Sequence, residues 1–385
     1  MTKPKRGRAR RKTEPKVDGP AWGVNFIGGA ALVALGACSG LEQPVPVAEL
    51  GARQDATRDL PVPDSVAAAW RARIGSALLA SLTAEDPVLL GAAGDGTVAA
   101  LSTATGEVFW TREVPGAVGG GVIRDGLRLF VASADEHGGV YALRLRDGVR
   151  LWERRVGAVS FAPAVARDTV YLAADDGTVY ALDAGTGREA WRTRLTGRAA
   201  ASPVVDATAV VAATTADTLY WLARGTGEVV ARHALAAGVS AEPRRAGERL
   251  YLPLHSGAVA AYDLAGRRPL WRAETGEPIL AAPVVARDGT VYVLNRAAGV
   301  WRIAPDGAAT PMAELGGAAR GSLTLAGERL LVGLLDGTLL ALDTTGATVW
   351  SERLDDSIVA PVAVAGGAIY VPLLRGTVVK LEGVQ

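Results

Sequence analysis

The stretch Gly177-Thr178-Val179-Tyr180-Ala181-Leu182-Asp183-Ala184-Gly185-Thr186-Gly187-Arg188-Glu189-Ala190-Trp191 reads as two strand arms joined by a tight turn. Its apolar residues follow strand period, as Val179 with Ala181, which places alternate side chains on one face of a sheet. Asp176-Gly177 and Thr186-Gly187 are turn dipeptides, because Gly reaches positive φ without a Cβ clash and Asp and Thr side chains bond nearby backbone. Just upstream, residues 170–174 supply another arm and residues 162–166 an inner one. Four short strands therefore fill one unit, at 162–166, 170–174, 178–183 and 189–195.

The unit recurs along the chain. With Gly177 as anchor, its equivalents are Gly96, Gly138, Asp217, Gly257, Ala298, Gly337 and Gly376, at intervals of 39 to 42 residues. A period near 40 with four strands per repeat is the signature of propeller blades. The Trp position is filled by Trp110, Trp152, Trp191, Trp271 and Trp350, and is replaced by Ala231 in the fourth copy and Met312 in the sixth. An indole recurring once per blade is expected to wedge between neighbouring sheets.

The last copy, Gly376-Thr377-Val378-Val379-Lys380-Leu381, ends at Gln385 before its Trp strand. At the other end, Ala69-Trp70-Arg71-Ala72-Arg73 is a Trp strand with no repeat before it. The expectation is an all-β, eight-bladed β-propeller of four-stranded antiparallel blades over residues 66–385, closed by the N-terminal strand completing the last blade. Such closure removes exposed sheet edges between the two ends of the chain.

Residues 1–37 read as a lipoprotein signal peptide, with Lys3, Lys5, Arg6, Arg8, Arg10, Arg11, Lys12 and Lys16 ahead of an apolar run from Phe26 to Ala37. That run is too short to span a bilayer. It ends Leu35-Gly36-Ala37-Cys38, and Cys38 is the only cysteine of the chain. The pattern resembles the bacterial lipobox, which implies cleavage before Cys38 and its acylation; two or more acyl chains are what stable anchoring requires. Arg10-Arg11 lacks the hydrophobic continuation of a twin-arginine signal. In such lipoproteins an Asp after the Cys retains the protein at the inner membrane, so Ser39 implies the outer membrane, facing the periplasm. Residues 38–65 read as the acylated Cys and a flexible tether, whose root-mean-square span would be on the order of 25–30 Å.

The signal segment carries a net +6 against +1 for the whole chain, so the remainder is mildly acidic. The basicity is a targeting feature, and no nucleic-acid partner is expected. The histidines, His137, His233 and His255, stand at unrelated repeat positions and none is at ligand spacing, so no metal site is expected. Acidic residues such as Asp95, Asp135, Asp175, Asp176, Asp306 and Asp336 fall in turns, where hairpin chemistry explains them. Gly116–Gly121 leads to a strand and no helix, which argues against a phosphate cradle. With no convergent acid, base, nucleophile or metal group, the chain reads as a non-enzyme, a rigid disc with many loops.

The pattern Gly-x-Val-Tyr-Ala-Leu-Asp-x-x-Thr-Gly-x-x-x-Trp resembles the repeat named after the pyrroloquinoline quinone enzymes. Those dehydrogenases carry a vicinal disulfide and a Glu/Asn/Asp calcium site that have no counterpart here, so no cofactor is expected. Length, lipobox, tether and eight repeats together resemble the BamB family of outer-membrane assembly lipoproteins. The resemblance implies a non-catalytic scaffold of the β-barrel assembly machinery. Its implied partners are the POTRA domains of a BamA-like barrel subunit, other lipoproteins of the machinery, unfolded outer-membrane clients, and the membrane through Cys38. Carried onto Leu195-Thr196-Gly197-Arg198 before Ser202-Pro203, the family's contacts imply Leu195 and Arg198. The next connection, Gly238-Val239-Ser240 before Glu242-Pro243, departs from the family's acidic pair, so that either the partner surface has changed or Glu242 substitutes in part. The alternatives are a lipid-anchored propeller binding cell-wall sugars or another ligand, and a relative of the quinone-dependent dehydrogenases.

Overall fold

The computed structural model describes residues 44–46 and 62–384. Residues 1–37 and Cys38 lie outside the described residues. The described chain forms eight four-stranded antiparallel sheets, each ordered as it runs in sequence except the last. There Val66–Arg73 pairs with Thr377–Gly383, from Val66 opposite Gly383 to Arg73 opposite Thr377, with a register shift between Ala68 and Trp70. The eight-bladed propeller and its closure by the N-terminal strand are as expected.

Numbered by repeat, blade three comprises Ala164–Ala166, Thr169–Ala173, Thr178–Asp183 and Glu189–Arg194. Its inner strand starts two residues later than the apolar pattern suggested, after Pro163, which has no N–H to give a ladder. The turn after the third strand is held by Asp183, whose carboxylate accepts from the Thr186 hydroxyl at 2.6 Å and amide at 2.8 Å. Those bonds, the hydroxyl's first, hold the Asp183 carboxyl below the usual carboxylate range.

Labelling each blade's strands A to D from the inside, A–B and C–D turns share one face of the disc, here called lower. B–C turns and D–A connections share the upper face. The core lies between blades: Tyr171, Val179 and Trp191 of blade three pack with Val210, Tyr220 and Leu222 of blade four. Burying such side chains contributes roughly 1.5–3 kcal/mol each.

The Trp of strand D joins this core to the lower face of the next blade. Six indole N–H groups donate across a seam, from Trp70, Trp110, Trp152, Trp191, Trp271 and Trp350 to the carbonyls of Thr103, Leu145, Ala184, Arg224, Pro305 and Pro63. Under the ring lies the turn glycine of the next blade. A Cβ on Gly187, at φ +69°, would sit 2.6 Å from the Trp152 ring. The Thr-Gly and Trp elements of the repeat are therefore one device spread over two blades.

Two seams lack that Trp. In blade four the usual cross-strand pair, Ala181 opposite Trp191 in blade three, is reversed to Trp221 opposite Ala231. Trp221 is fully buried, and His233 packs edge-on against it at 5.2 Å. His233 Nε2 lies 2.7 Å from the Arg267 carbonyl, a contact that requires the proton on Nε2. With no indole above it, the turn position held by Gly187 in blade three is taken in blade five by Arg267, at φ +52°. In blade six Met312 stands at the Trp position without such a replacement, and a cleft of about 890 Å³ opens beside it, lined by Arg287, Tyr292, Arg302, Met312, Glu328 and Thr344.

Within the stretch read as a free tether, two described pieces are packed on the ring. Val45 is 2% exposed, and Val62 and Pro63 seat against blades seven and eight, with Pro63 receiving the Trp350 indole.

Candidate functional site

The upper face is built from one repeated bond. In every blade a B–C turn amide donates to the carbonyl of the preceding D–A connection: Gly94 to Ala77, Ala134 to Ala117, Asp175 to Ala158, Thr215 to Arg198, His255 to Gly238, Arg296 to Pro278, Leu335 to Ala318 and Leu374 to Ser357, all at 2.8–2.9 Å. Seven of the eight acceptor residues are small or Pro, and Arg198 alone carries a charged side chain. Its backbone is held at two points, the carbonyl by the Thr215 amide and the amide by Thr215 Oγ1 at 3.0 Å, while Nε reaches the Asp175 carbonyl at 3.3 Å. The guanidinium is 3.9 Å from the Asp175 carboxylate and its side chain is 72% exposed. A fixed base with a loosely held cationic head can recognise an acidic or carbonyl-rich surface.

Glu242 is the exception at a second repeated position. Two residues before the first paired residue of strand A, or in blade seven before Thr324 beyond a register shift, the chain has Ser81, Gly120, Ala162, Ser202, Glu242, Ala282, Ser322 and Pro361 in the eight blades. Glu242 alone is charged there. Its Oε2 accepts from the Ser202 amide of blade four at 2.9 Å. Burial pushes the Glu242 carboxyl above its ordinary value, and the Ser202 bonds only partly offset this.

Leu195 does not fit the role expected of it. It is 5% exposed and packs with Tyr171, Trp191 and Leu222, while its amide donates to the Gly177 carbonyl at 3.0 Å. Its side chain is core, and Thr196 and Arg198 are the exposed residues of that connection. The repeat itself carries this signal, since Ile74, Val114, Val156, Leu235, Leu315 and Leu354 occupy the same place and make the same bond. Among the described residues no group of three or more His, Cys, Asp or Glu is arranged to hold a metal ion, and no helix is long and apolar enough to cross a membrane.

Comparison with known proteins extends the picture. The chain is 26% identical over 332 residues, 80% of its length and 82% of the relative's, to the outer membrane protein assembly factor BamB of Bordetella pertussis. Among solved structures, that of BamB from Moraxella catarrhalis superposes with a TM-score of 0.69 at 19% identity, covering 83% of this chain and 98% of that one. A quinohemoprotein alcohol dehydrogenase from Pseudomonas putida superposes with a TM-score of 0.68 at 15% identity, covering 84% and 78%. These two likenesses concern the fold alone. A family profile described as outer membrane protein assembly factor BamB matches residues 63–162, 138–278, 215–310 and 287–384, so it spans the whole ring, and the chain belongs to that family.

Proposed function

We propose that the protein is a non-catalytic, lipid-anchored scaffold of the outer-membrane β-barrel assembly machinery. It sits at the periplasmic face of the outer membrane through acylated Cys38 and binds the POTRA region of a BamA-like barrel subunit. Other lipoproteins of the machinery and unfolded clients are its further partners. Membership of the assembly-factor family supports the general role. The observation that carries the site is Arg198, the one charged side chain among the eight acceptor residues of the connections, with Glu242 as the acidic exception at its own repeat position on the next blade. Charge at the rim of an interface sets approach and register more than total affinity.

The test is capture of the barrel subunit from the native envelope by the full-length protein and by Arg198→Glu. The substitution sets a carboxylate beside Asp175 and reverses the charge offered to the partner. The expected result is a several-fold loss of captured subunit, on the order of 1–2 kcal/mol, with the thermal midpoint of the ring unchanged. Undiminished capture would remove Arg198 from the interface.

A further inference from the structure

The chain before the ring contains the same tripeptide twice, Pro44-Val45-Pro46 and Pro61-Val62-Pro63. In both the valine is buried at a seam, Val45 to 2% and Val62 to 5% exposure. The second is part of ring closure: Val62 packs with Leu331, Leu339 and Val379, and Pro63 stands where a C–D turn would receive the Trp350 indole. The first repeats that seating between blades one and two. Val45 packs with Val88, Leu90, Trp110, Leu143 and Leu145, and its amide donates to the Arg146 carbonyl at 2.9 Å. Arg146 directly follows Leu145, whose carbonyl takes the Trp110 indole. Both prolines flank the valine with fixed φ and no N–H, so the segment is stiff and extended, and little chain entropy is lost when it seats.

We propose that Pro44-Val45-Pro46 is a clip that fixes which face of the ring is held toward the lipid surface. It rests on the reading of Cys38 as the anchor. With Val62 seated and Val45 free, the 24 peptide steps from Cys38 to Val62 could reach about 80–86 Å, enough for either face to meet the bilayer. With Val45 seated, only six steps separate Cys38 from Pro44, a reach of at most about 21 Å. The clip lies on the lower face, beside the C–D turn of blade two. The lower face is therefore kept toward the headgroups, and the upper face with Arg198 is turned away from them.

The experiment uses the full chain produced with its own amino-terminal segment, reconstituted in phosphatidylethanolamine–phosphatidylglycerol vesicles. Acylation consumes the native thiol, so a donor dye is attached to Glu107→Cys on the lower face or Glu136→Cys on the upper, with an acceptor on the headgroups. Transfer is expected to be greater from position 107 than from 136, and Val45→Asp is expected to abolish the difference. Equal transfer from the two positions in the acylated wild-type background would overturn the proposal. Hydrogen exchange at the Val45 amide reads the clip without the membrane: protection of at least about tenfold is expected, and exchange at the free-peptide rate overturns the clip. Mass spectrometry reads the anchor separately, because an unmodified Cys38 refutes the membrane orientation while leaving the protection of Val45 to stand or fall alone.

Discussion

The seam between blades four and five and the seam between blades six and seven have both lost the Trp that locks the others, and they have met that loss differently. At the first, the indole has moved across the strand pair to Trp221, His233 supplies the N–H that spans the seam, and Arg267 replaces the glycine no longer needed under a ring. At the second, Met312 takes the place alone and a cleft remains. At the first seam a buried ring and one donor across it are kept through different residues, whereas at the second Met312 supplies no ring.

The sharpest way to break this comparison is to remove the relocated ring. Trp221→Ala is expected to cost about 3–5 kcal/mol, as much as Trp110→Ala at an ordinary seam, read as equal falls in urea midpoint. His233→Ala should cost about 1–2 kcal/mol, and the double variant less than the sum, because the two side chains are in contact. A cost below about 1 kcal/mol for Trp221→Ala would mean that the fourth seam has not been rebuilt at all.

The opposite change sharpens the other half. Met312→Trp has the cleft to enter and the Thr344 carbonyl as the repeat-equivalent acceptor. A gain of roughly 0.5–1.5 kcal/mol is expected, visible as a higher thermal midpoint. A lower midpoint would show that this seam is shaped around methionine.

The smallest effect concerns the inner end of the rebuilt seam, where Glu242 of blade five meets Ser202 of blade four. Its carboxyl is raised in the fold, so the folded chain keeps a proton that the unfolded chain has already released. The contribution is full below the ordinary carboxylate value and is lost as pH rises through the raised one. Glu242→Gln is therefore expected to stabilise the ring at neutral pH and to lose that advantage under acid. Thermal midpoints measured across that window with no change in the difference would contradict the assignment.

Much of this was legible in the sequence because a propeller writes its register into a period. Turn glycines, alternating arms and the stranded Trp70 strand sufficed for the number of blades and for closure. Trp221 could not be read as a substitute, since that depends on knowing that it lies opposite Ala231. Val45 was opaque for a related reason: a Pro-Val-Pro tripeptide in a polar stretch looks like linker until the seam that accepts it is known. Leu195 is implied as a contact by the family resemblance alone, whereas an apolar residue at that place in repeat after repeat marks core. That Arg198 and Glu242 are exceptions among the eight blades shows only when the connections are laid over one another, which requires the bonding pattern as well as the period.

The most direct measurement is site-specific photocrosslinking in the native envelope, with a photoreactive residue at Thr196 beside Arg198 on the upper face or at Glu107 on the lower. The account predicts that the upper position captures the POTRA-bearing barrel subunit and the lower position does not. Capture of that subunit from Glu107 alone, or of none from Thr196 in a folded and acylated protein, would contradict it.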